Sequence, residues 1–299
     1  MFIEQINNKN YRGLLYLPIP LGFLALMIFN FIFSQGVDTD KTIQDTIALL
    51  GVNTTFVLLV APLSFGCLML LFWVKFVHNQ SLVSLTTSRS SIDWKRVVFS
   101  FSLWSLVTII TTMIAYFLEP ENFVFNFKLI PFLIFFVLAI FLIPLQTSFE
   151  EYLFRGYLMQ GIGVATKSKL IPLVITSVLF GILHIANPEV EKLGFIIMIY
   201  YIGTGFFLGI VTLMDEGLEL SLGFHAANNL VGALLVTADW TAFQTHSVLK
   251  DISTPAAGFD VIIPVFIIFP ILLYLFSKKY KWINWKEKLT GTFTTSTTN

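Results

Sequence analysis

Two adjacent carboxylates and an arginine interrupt one of the most apolar parts of the chain. Glu150, Glu151 and Arg155 all lie in the stretch TSFEEYLFRGYLM, residues 147–159. If this stretch is helical, Glu151 and Arg155 share one face and can form an ion pair, whereas Glu150 points about 100° away. The spacing therefore predicts one carboxylate that is neutralised locally and one that is left free.

Two later segments carry histidines at a similar spacing. Phe180 and His184 are four residues apart in FGILHIAN, and His225 and Asn229 are four residues apart in GFHAANN. Hydrolysis needs a base for water and hydrogen-bond donors for the developing negative charge, and each donor is worth about 3–4 kcal/mol of barrier. A free glutamate and a histidine can activate the water. Asn229 exchanges no proton near neutral pH, so it is suited to polarising a carbonyl group.

The composition places these residues in a membrane protein. Of the 299 residues, 56% are hydrophobic and 12% are charged, whereas about a quarter of the residues in a soluble domain are charged. The 18 basic and 18 acidic residues cancel, so no net charge favours binding to nucleic acid. A charge at the middle of a bilayer costs at least about 2.5–3.5 kcal/mol. We therefore expect Glu150, Glu151 and Arg155 to face the bundle interior or a water-filled cavity.

Hydropathy predicts an all-α, polytopic bundle of about eight transmembrane helices. The predicted spans lie near 14–34, 53–77, 97–118, 130–160, 169–187, 193–214, 219–238 and 260–277. The fourth segment is too long for one perpendicular span, so we expect it to tilt, to kink at Pro144 or to end in an interfacial extension.

The spans divide the chain into three parts. Residues 1–129 hold three N-terminal transmembrane helices, and residues 130–240 form a helical core with the charged and histidine segments. Residues 241–299 hold the last transmembrane helix and a basic, Thr-rich tail.

The distribution of basic residues predicts that both termini are cytoplasmic. With that orientation, fourteen of the 18 Lys and Arg residues lie on the cytoplasmic side. Glu150 and His184 then lie about 20 Å from the cytoplasmic helix ends, and His225 and Asn229 about 9–15 Å. We expect a shared cavity that opens toward the cytoplasm.

An acidic connection precedes the segment that carries His225. Asp215, Glu216 and Glu219 lie at the cytoplasmic face in this topology. We expect a solvated turn that borders the cavity mouth, where it could meet a basic substrate.

The order of the three motifs resembles a known family of membrane enzymes. EExxxR, FxxxH and HxxxN on successive hydrophobic segments resemble the CAAX prenyl protease type II and bacteriocin-processing (Abi, CPBP) family of intramembrane endopeptidases. The motifs are present as Glu150-Glu151-x-x-x-Arg155, Phe180-x-x-x-His184 and His225-x-x-x-Asn229. The resemblance covers about residues 130–240, which would then be the catalytic core.

The resemblance implies hydrolysis of a peptide bond inside the membrane. Its implied catalytic residues are Glu150, His184, His225 and Asn229, with Glu151 and Arg155 in support. Glu150 and His184 would activate a water molecule, and His225 and Asn229 would hold the oxyanion. The implied partner is a peptide or lipidated protein in the lipid bilayer, either a prenylated CAAX-type substrate or a leader peptide. The resemblance also implies that this is a multi-pass protein of the cell membrane.

Other chemistries are distinguished by their motifs. The chain has no HExxH, GxSG or GxGD stretch of the zinc, serine and aspartyl membrane proteases. We predict no cofactor and no metal, although two histidines and a glutamate are a possible zinc set and leave that question open. Two other functions stay open as well. One is a proton-coupled transporter that uses Glu150 and His184 as a relay, and the other is a non-catalytic membrane scaffold or immunity protein.

Overall fold

The computed structural model describes residues 1–6 and 11–292. Helices account for most of this part of the chain. The α-helices are α1 (Pro18–Ser34), α2 (Thr39–Leu50), α3 (Val52–Phe76), α4 (Leu82–Thr86), α5 (Trp94–Leu118), α6 (Leu129–Glu151), α7 (Met159–Thr166), α8 (Leu170–Ile182), α9 (Pro188–Leu193), α10 (Met198–Asp215), α11 (Glu219–Leu235), α12 (Phe259–Ile263), α13 (Phe269–Tyr280) and α14 (Trp285–Thr290).

A small sheet and several short helices complete the described fold. The strands are β1 (Phe123–Phe125), β2 (Val236–Ala238) and β3 (Leu249–Asp251). β3 is central, antiparallel to β1 and parallel to β2. The 3₁₀ helices are Ile3–Gln5, Gly13–Tyr16, Pro120–Asn122 and Phe195–Ile197.

The prediction of an all-α membrane bundle is confirmed. Six described helices are long and apolar enough to cross a membrane: Gly13–Phe33, Val52–Phe76, Trp94–Leu118, Leu129–Thr166, Phe195–Asp215 and Val261–Tyr280. The predicted spans 169–187 and 219–238 are helical only in α8 and α11, with 13 and 17 residues. α8 ends early because the chain turns before Pro188, and α11 ends where Val236 becomes extended in β2. Thus six helices of the described residues, rather than eight, reach the spanning length.

The fourth segment is one continuous helical rod with an irregular centre. α6 passes through Pro144, continues as a π-helix over Tyr152–Leu158 and then becomes α7. The whole segment, Leu129–Thr166, has 38 residues, or about 57 Å at the rise of an α-helix. The irregularity therefore begins directly after Glu151 and not at Pro144. Such π segments occur frequently at functional sites.

The core of the bundle forms around α6. Phe56 and Val60 of α3 pack against Phe135 and Ile143 of α6, and Leu230 of α11 joins the same buried cluster. α6 therefore has α3 and α11 as direct neighbours. This arrangement holds the carboxyl end of α6 beside the middle of α11.

α8 and α10 approach each other unusually closely. A Cβ atom on Gly205 of α10 would lie 2.4 Å from the carbonyl oxygen of Ser177 in α8. The Ser177 hydroxyl donates to the Gly205 carbonyl at 3.0 Å. Only glycine permits this separation, which brings the end of α8 close to the π-helix.

The bundle has two distinct ends. At the end that we call the terminal end, the N–H of Phe2 donates to Glu216 at 2.6 Å and Lys169 pairs with Glu287 of α14. At the opposite end, called the sheet end, lie α2, α9 and the three strands. There Lys192 pairs with Asp40 at 2.6 Å.

The acidic connection is a buried ion-pair network, which corrects the expectation of a solvated turn. Arg89 contacts Asp215 at 3.0 Å and Glu219 at 3.1 Å, and Arg96 also pairs with Asp215. Both carboxylates are buried, whereas Glu216 is paired with Lys288 at 3.3 Å. The network joins the segment before α5 to the α10–α11 turn. These carboxylates already have cationic partners within the chain, so they do not form a receptor for a basic substrate.

The two ends give a direct test of the predicted membrane orientation. Lys286 at the terminal end and Ala256 at the sheet end are both exposed, and Cys67 is buried. In intact cells, a membrane-impermeant thiol reagent should label Ala256→Cys and leave Lys286→Cys unlabelled until the cells are lysed, because the distribution of Lys and Arg predicts that the basic end is cytoplasmic. The reverse labelling pattern would contradict the orientation.

Candidate active site

The structure brings the three motifs together around one cavity. Glu150 at the end of α6, His184 just after α8, and His225 and Asn229 on α11 all line a cavity of about 630 Å³. The four residues predicted to be catalytic therefore share one space. The two predicted supporting residues, Glu151 and Arg155, are fully buried beside them.

Glu151 connects the first motif to the third. Its Oε1 accepts from Nη1 of Arg155 at 2.9 Å and from Nδ1 of His225 at 2.8 Å. The predicted ion pair between Glu151 and Arg155 is thus confirmed. Arg155 also donates to the Gly205 carbonyl at 3.1 Å, and its guanidinium lies 4.2 Å from the centre of the Phe180 ring. One buried charge pair therefore contacts α11, α10 and the FxxxH segment and fixes their positions relative to one another.

Glu150 has a different environment. Its Oε1 accepts from the side-chain amide of Gln146, one turn earlier in α6. Its Oε2 is buried, has no hydrogen-bond partner among the described residues and lies 3.8 Å from Nε2 of His225. A buried polar atom without a partner costs about 1–3 kcal/mol. This oxygen is therefore available to a donor that enters the cavity, such as water.

Hydrogen-bond partners define which nitrogen of each histidine carries a proton. Nδ1 of His184 lies 2.7 Å from the carbonyl oxygen of Phe180, which can only accept, so Nδ1 is the donor. Nδ1 of His225 donates to Glu151 for the same reason. In each neutral ring Nε2 then carries a lone pair. His225 can donate from Nε2 only in its doubly protonated form.

Aromatic rings keep the histidines in place. The His184 ring stacks on Tyr201 with centroids 4.5 Å apart. The Phe180 ring lies 4.9 Å from His184 and 5.8 Å from His225. Phe180, the phenylalanine of the FxxxH segment, therefore packs against both histidine rings. Its role in the site is to position these rings and not to transfer protons.

A directed chain of side-chain amides supports Glu150 and Asn229. Gln146 donates to Glu150, Asn229 donates to Gln146 at 3.1 Å, and Asn228 donates to Asn229 at 3.0 Å. Trp104, which can only donate, completes the chain by donating to Asn228 at 3.0 Å. With a donor at one end and a carboxylate at the other, every amide has one possible orientation. One N–H of the Asn229 amide stays available for a ligand.

Sequence reasoning missed three residues of this hydrogen-bonded series of side chains. Gln146 is polar within an apolar helix and lies four residues before Glu150, so its spacing alone could have indicated it. Asn228 could have been suspected only from its position next to Asn229. Trp104 could not, because nothing in the sequence places α5 beside α11.

The cavity extends toward the sheet end and not toward the terminal end, which is the end predicted to be cytoplasmic. From the site it reaches Asn187, Glu189 and Ala242, and one wall is apolar, with Leu26 of α1 and Pro62 of α3. The physical reason is that α8 is short. It ends at Ile182, just before His184, and leaves space between His184 and the sheet end. On the other side, the buried cluster of the π-helix and α3 fills the interior.

The described residues contain no cluster of typical metal ligands. In that part of the chain, no three His, Cys, Asp or Glu side chains are grouped so that they could hold a metal ion. Glu150, His184 and His225 line the cavity without forming such a group.

Comparison with known proteins relates the site to one family. Residues 128–231 match the model of the Rce1-like family, described as type II CAAX prenyl endopeptidase Rce1-like. This segment includes all three motifs. The chain is also 34% identical over 165 residues to the uncharacterized protein YyaK of Bacillus subtilis (strain 168).

The extent of these matches is limited to part of each protein. The alignment with YyaK covers 55% of this chain and 55% of that relative. No solved structure matches the chain significantly. The resemblance that the order of the motifs predicts is confirmed for the segment that carries them, because residues 128–231 match the model of the Rce1-like family.

Proposed function

We propose that this multi-pass membrane protein is an intramembrane endopeptidase that hydrolyses a peptide bond of a membrane-associated substrate. The observation that carries this proposal is the buried Oε2 of Glu150, which has no hydrogen-bond partner among the described residues and lies in the same cavity as His225 and Asn229. A base and two oxyanion donors are what peptide hydrolysis requires. The match of residues 128–231 to a family of endopeptidases supports the same reaction.

In the proposed reaction, Glu150 takes a proton from water through Oε2 while Nε2 of His184 accepts the second hydrogen bond of that water. The hydroxide oxygen forms a bond to the carbonyl carbon, and the carbonyl oxygen becomes the oxyanion. The C–N bond then breaks, and protonated Glu150 returns its proton to the leaving amine. One water molecule is thus divided, with its hydroxyl in the new carboxyl group and its other proton on the new amine.

His225 and Asn229 stabilise the oxyanion in this mechanism. Asn229 donates through the N–H that is not bonded to Gln146. His225 donates from Nε2 in its doubly protonated form, with Nδ1–H bonded to Glu151. Glu151 and Arg155 are positioning residues, since they touch no part of the cavity and act by orienting His225.

The substrate that we propose is a peptide or lipidated protein in the lipid bilayer of the cell membrane, with no nucleic acid involved. The apolar wall of the cavity, formed by residues of α1 and α3, is compatible with either a prenylated CAAX-type segment or an apolar leader peptide. A transporter would use Glu150 and His184 without breaking a bond, and a scaffold would bind without turnover.

The experiment that separates these functions detects new peptide termini. Purified protein in liposomes is incubated with a mixture of lipidated and unlipidated peptides, beside Glu150→Gln protein, and the products are sequenced by mass spectrometry. We expect cleavage at one type of bond by the unaltered protein alone. Intact peptides after prolonged incubation, or equal cleavage by both proteins, would contradict the proposal.

A further inference from the structure

A second carboxylate lies in the cavity at the end opposite Glu150. Glu189 is in α9 at the sheet end and lines the cavity wall. Its Oε1 accepts from the backbone N–H of Ala242 at 2.9 Å. This bond holds the side chain against the segment that connects β2 and β3. Its Oε2 is buried and has no hydrogen-bond partner among the described residues. The carboxylate is therefore held rigidly with one oxygen unused.

The ionisable side chains on the described walls of the cavity are carboxylates, histidines and tyrosines. Glu150 and Glu189 are its carboxylates, and neither Lys nor Arg is among the described residues that line it. Lys192, on the same helix as Glu189, is paired with Asp40. Burial raises the pKa of Glu189, because removal from water disfavours the charged carboxylate. Within the part of the chain that the structure describes, no Lys or Arg pairs with Glu189.

We propose that Glu189 is a substrate-binding residue that accepts a cationic group of the peptide, either a Lys or Arg side chain or an amino terminus. The proposal rests on the peptidase function above and narrows its substrate class. A buried carboxylate with a free oxygen binds an ammonium or guanidinium group through a charge-assisted hydrogen bond, which is stronger than a neutral one. The cation would anchor the peptide at the sheet end while the scissile bond lies at Glu150.

The same charges disfavour the opposite kind of substrate. A free carboxylate at the end of a short peptide would find two carboxylates and no Lys or Arg on the described walls of the cavity. Like charges in a partly desolvated space repel each other strongly. The cavity therefore selects peptides with a cation at the sheet end over peptides with an anion there.

Binding measurements test this selection without requiring catalysis. The probes are fluorescent apolar peptides of about twelve residues, a length that we choose to exceed the cavity, capped at both ends and carrying one Lys, Gln or Glu at each position in turn. They are titrated into full-length protein with the Glu150→Gln change, so that the probe stays intact. At one or two adjacent positions, Lys should bind at least about 10-fold tighter than Gln, and Glu should bind more weakly than Gln.

Matched variants assign the preference to one side chain. Glu189→Gln keeps an oxygen for the Ala242 N–H and removes the charge, so it should abolish the preference for Lys. Glu191→Gln removes an exposed carboxylate from the same helix, outside the cavity, and should retain it. The proposal is overturned if no position prefers Lys, if the preference survives in Glu189→Gln, or if both variants lose it equally.

The outcome is independent of the peptidase proposal. The comparison of Lys with Gln probes on protein with native Glu189 decides the matter even if Glu189→Gln fails to fold. A clear preference for Lys in a protein that cleaves no peptide would contradict the peptidase function and leave the binding site standing. Cleavage without any preference for Lys would contradict the binding site and leave the peptidase function standing.

Discussion

Replacing Glu150 by Gln is expected to lower turnover by about 10²–10⁴-fold, the range of a general base, with little change in thermal stability. Gln is isosteric and keeps an oxygen for the hydrogen bond from Gln146. Oε2 has no partner among the described residues, so replacing it breaks no contact there. The rate of peptide cleavage and the melting temperature in detergent measure the two effects.

The neighbouring carboxylate provides the matched control. Glu151→Gln leaves Arg155 buried without its counter-charge and weakens the bond to Nδ1 of His225. Breaking a buried charge pair costs about 3–5 kcal/mol, so this variant should be much less stable as well as less active. Equal effects of the two substitutions on both stability and turnover would show that the division of roles is wrong.

Removal of either oxyanion donor should lower turnover by about 10²–10³-fold with a much smaller change in KM. The variants are His225→Ala and Asn229→Ala. A donor that acts in the transition state affects kcat, whereas a group that binds only the ground state affects KM. Asn228→Ala is the control, because Asn228 bonds to Asn229 at 3.0 Å and donates nothing to the substrate in the proposed mechanism. Its effect should be markedly smaller than that of Asn229→Ala.

The same variants decide whether a metal takes part. If Glu150 and His184 activate water alone, the cleavage rate should be unchanged by EDTA or phenanthroline. A zinc enzyme would behave differently, since His225→Ala would release the metal, Asn229→Ala would retain it, and added zinc would restore chelated protein. Stoichiometric zinc that is lost together with activity would replace the metal-free mechanism and leave hydrolysis as the reaction.

Local spacing was sufficient to predict the central pair of the site. Residues four apart on a helix meet whatever surrounds them, so the Glu151–Arg155 ion pair followed from the sequence. The π-helix that begins at Tyr152 did not, because it packs against α8 and α10, and the sequence does not place those helices beside it. The position of Glu150 on the cavity wall followed from its offset from Glu151.

Features that depend on contacts between distant segments could not be predicted. Hydropathy measures composition, so it did not indicate that α8 ends after 13 residues and leaves a cavity toward the sheet end. The cationic partners of Asp215 are Arg89 and Arg96, more than a hundred residues earlier in the chain. A charged turn looks the same in sequence whether it is solvated or buried with a partner.

The central claim is that water activated by Glu150 cleaves a peptide bond, and cleavage in water enriched in ¹⁸O tests it most directly. The substrate is any peptide that the liposome screen identifies, and mass spectrometry reads the isotope content of the new carboxyl terminus. We predict one ¹⁸O atom in that carboxylate with the unaltered protein, and no product above background with Glu150→Gln. Product formed by Glu150→Gln at a rate within about tenfold of the unaltered protein would contradict the account, because loss of a general base costs at least about 10²-fold.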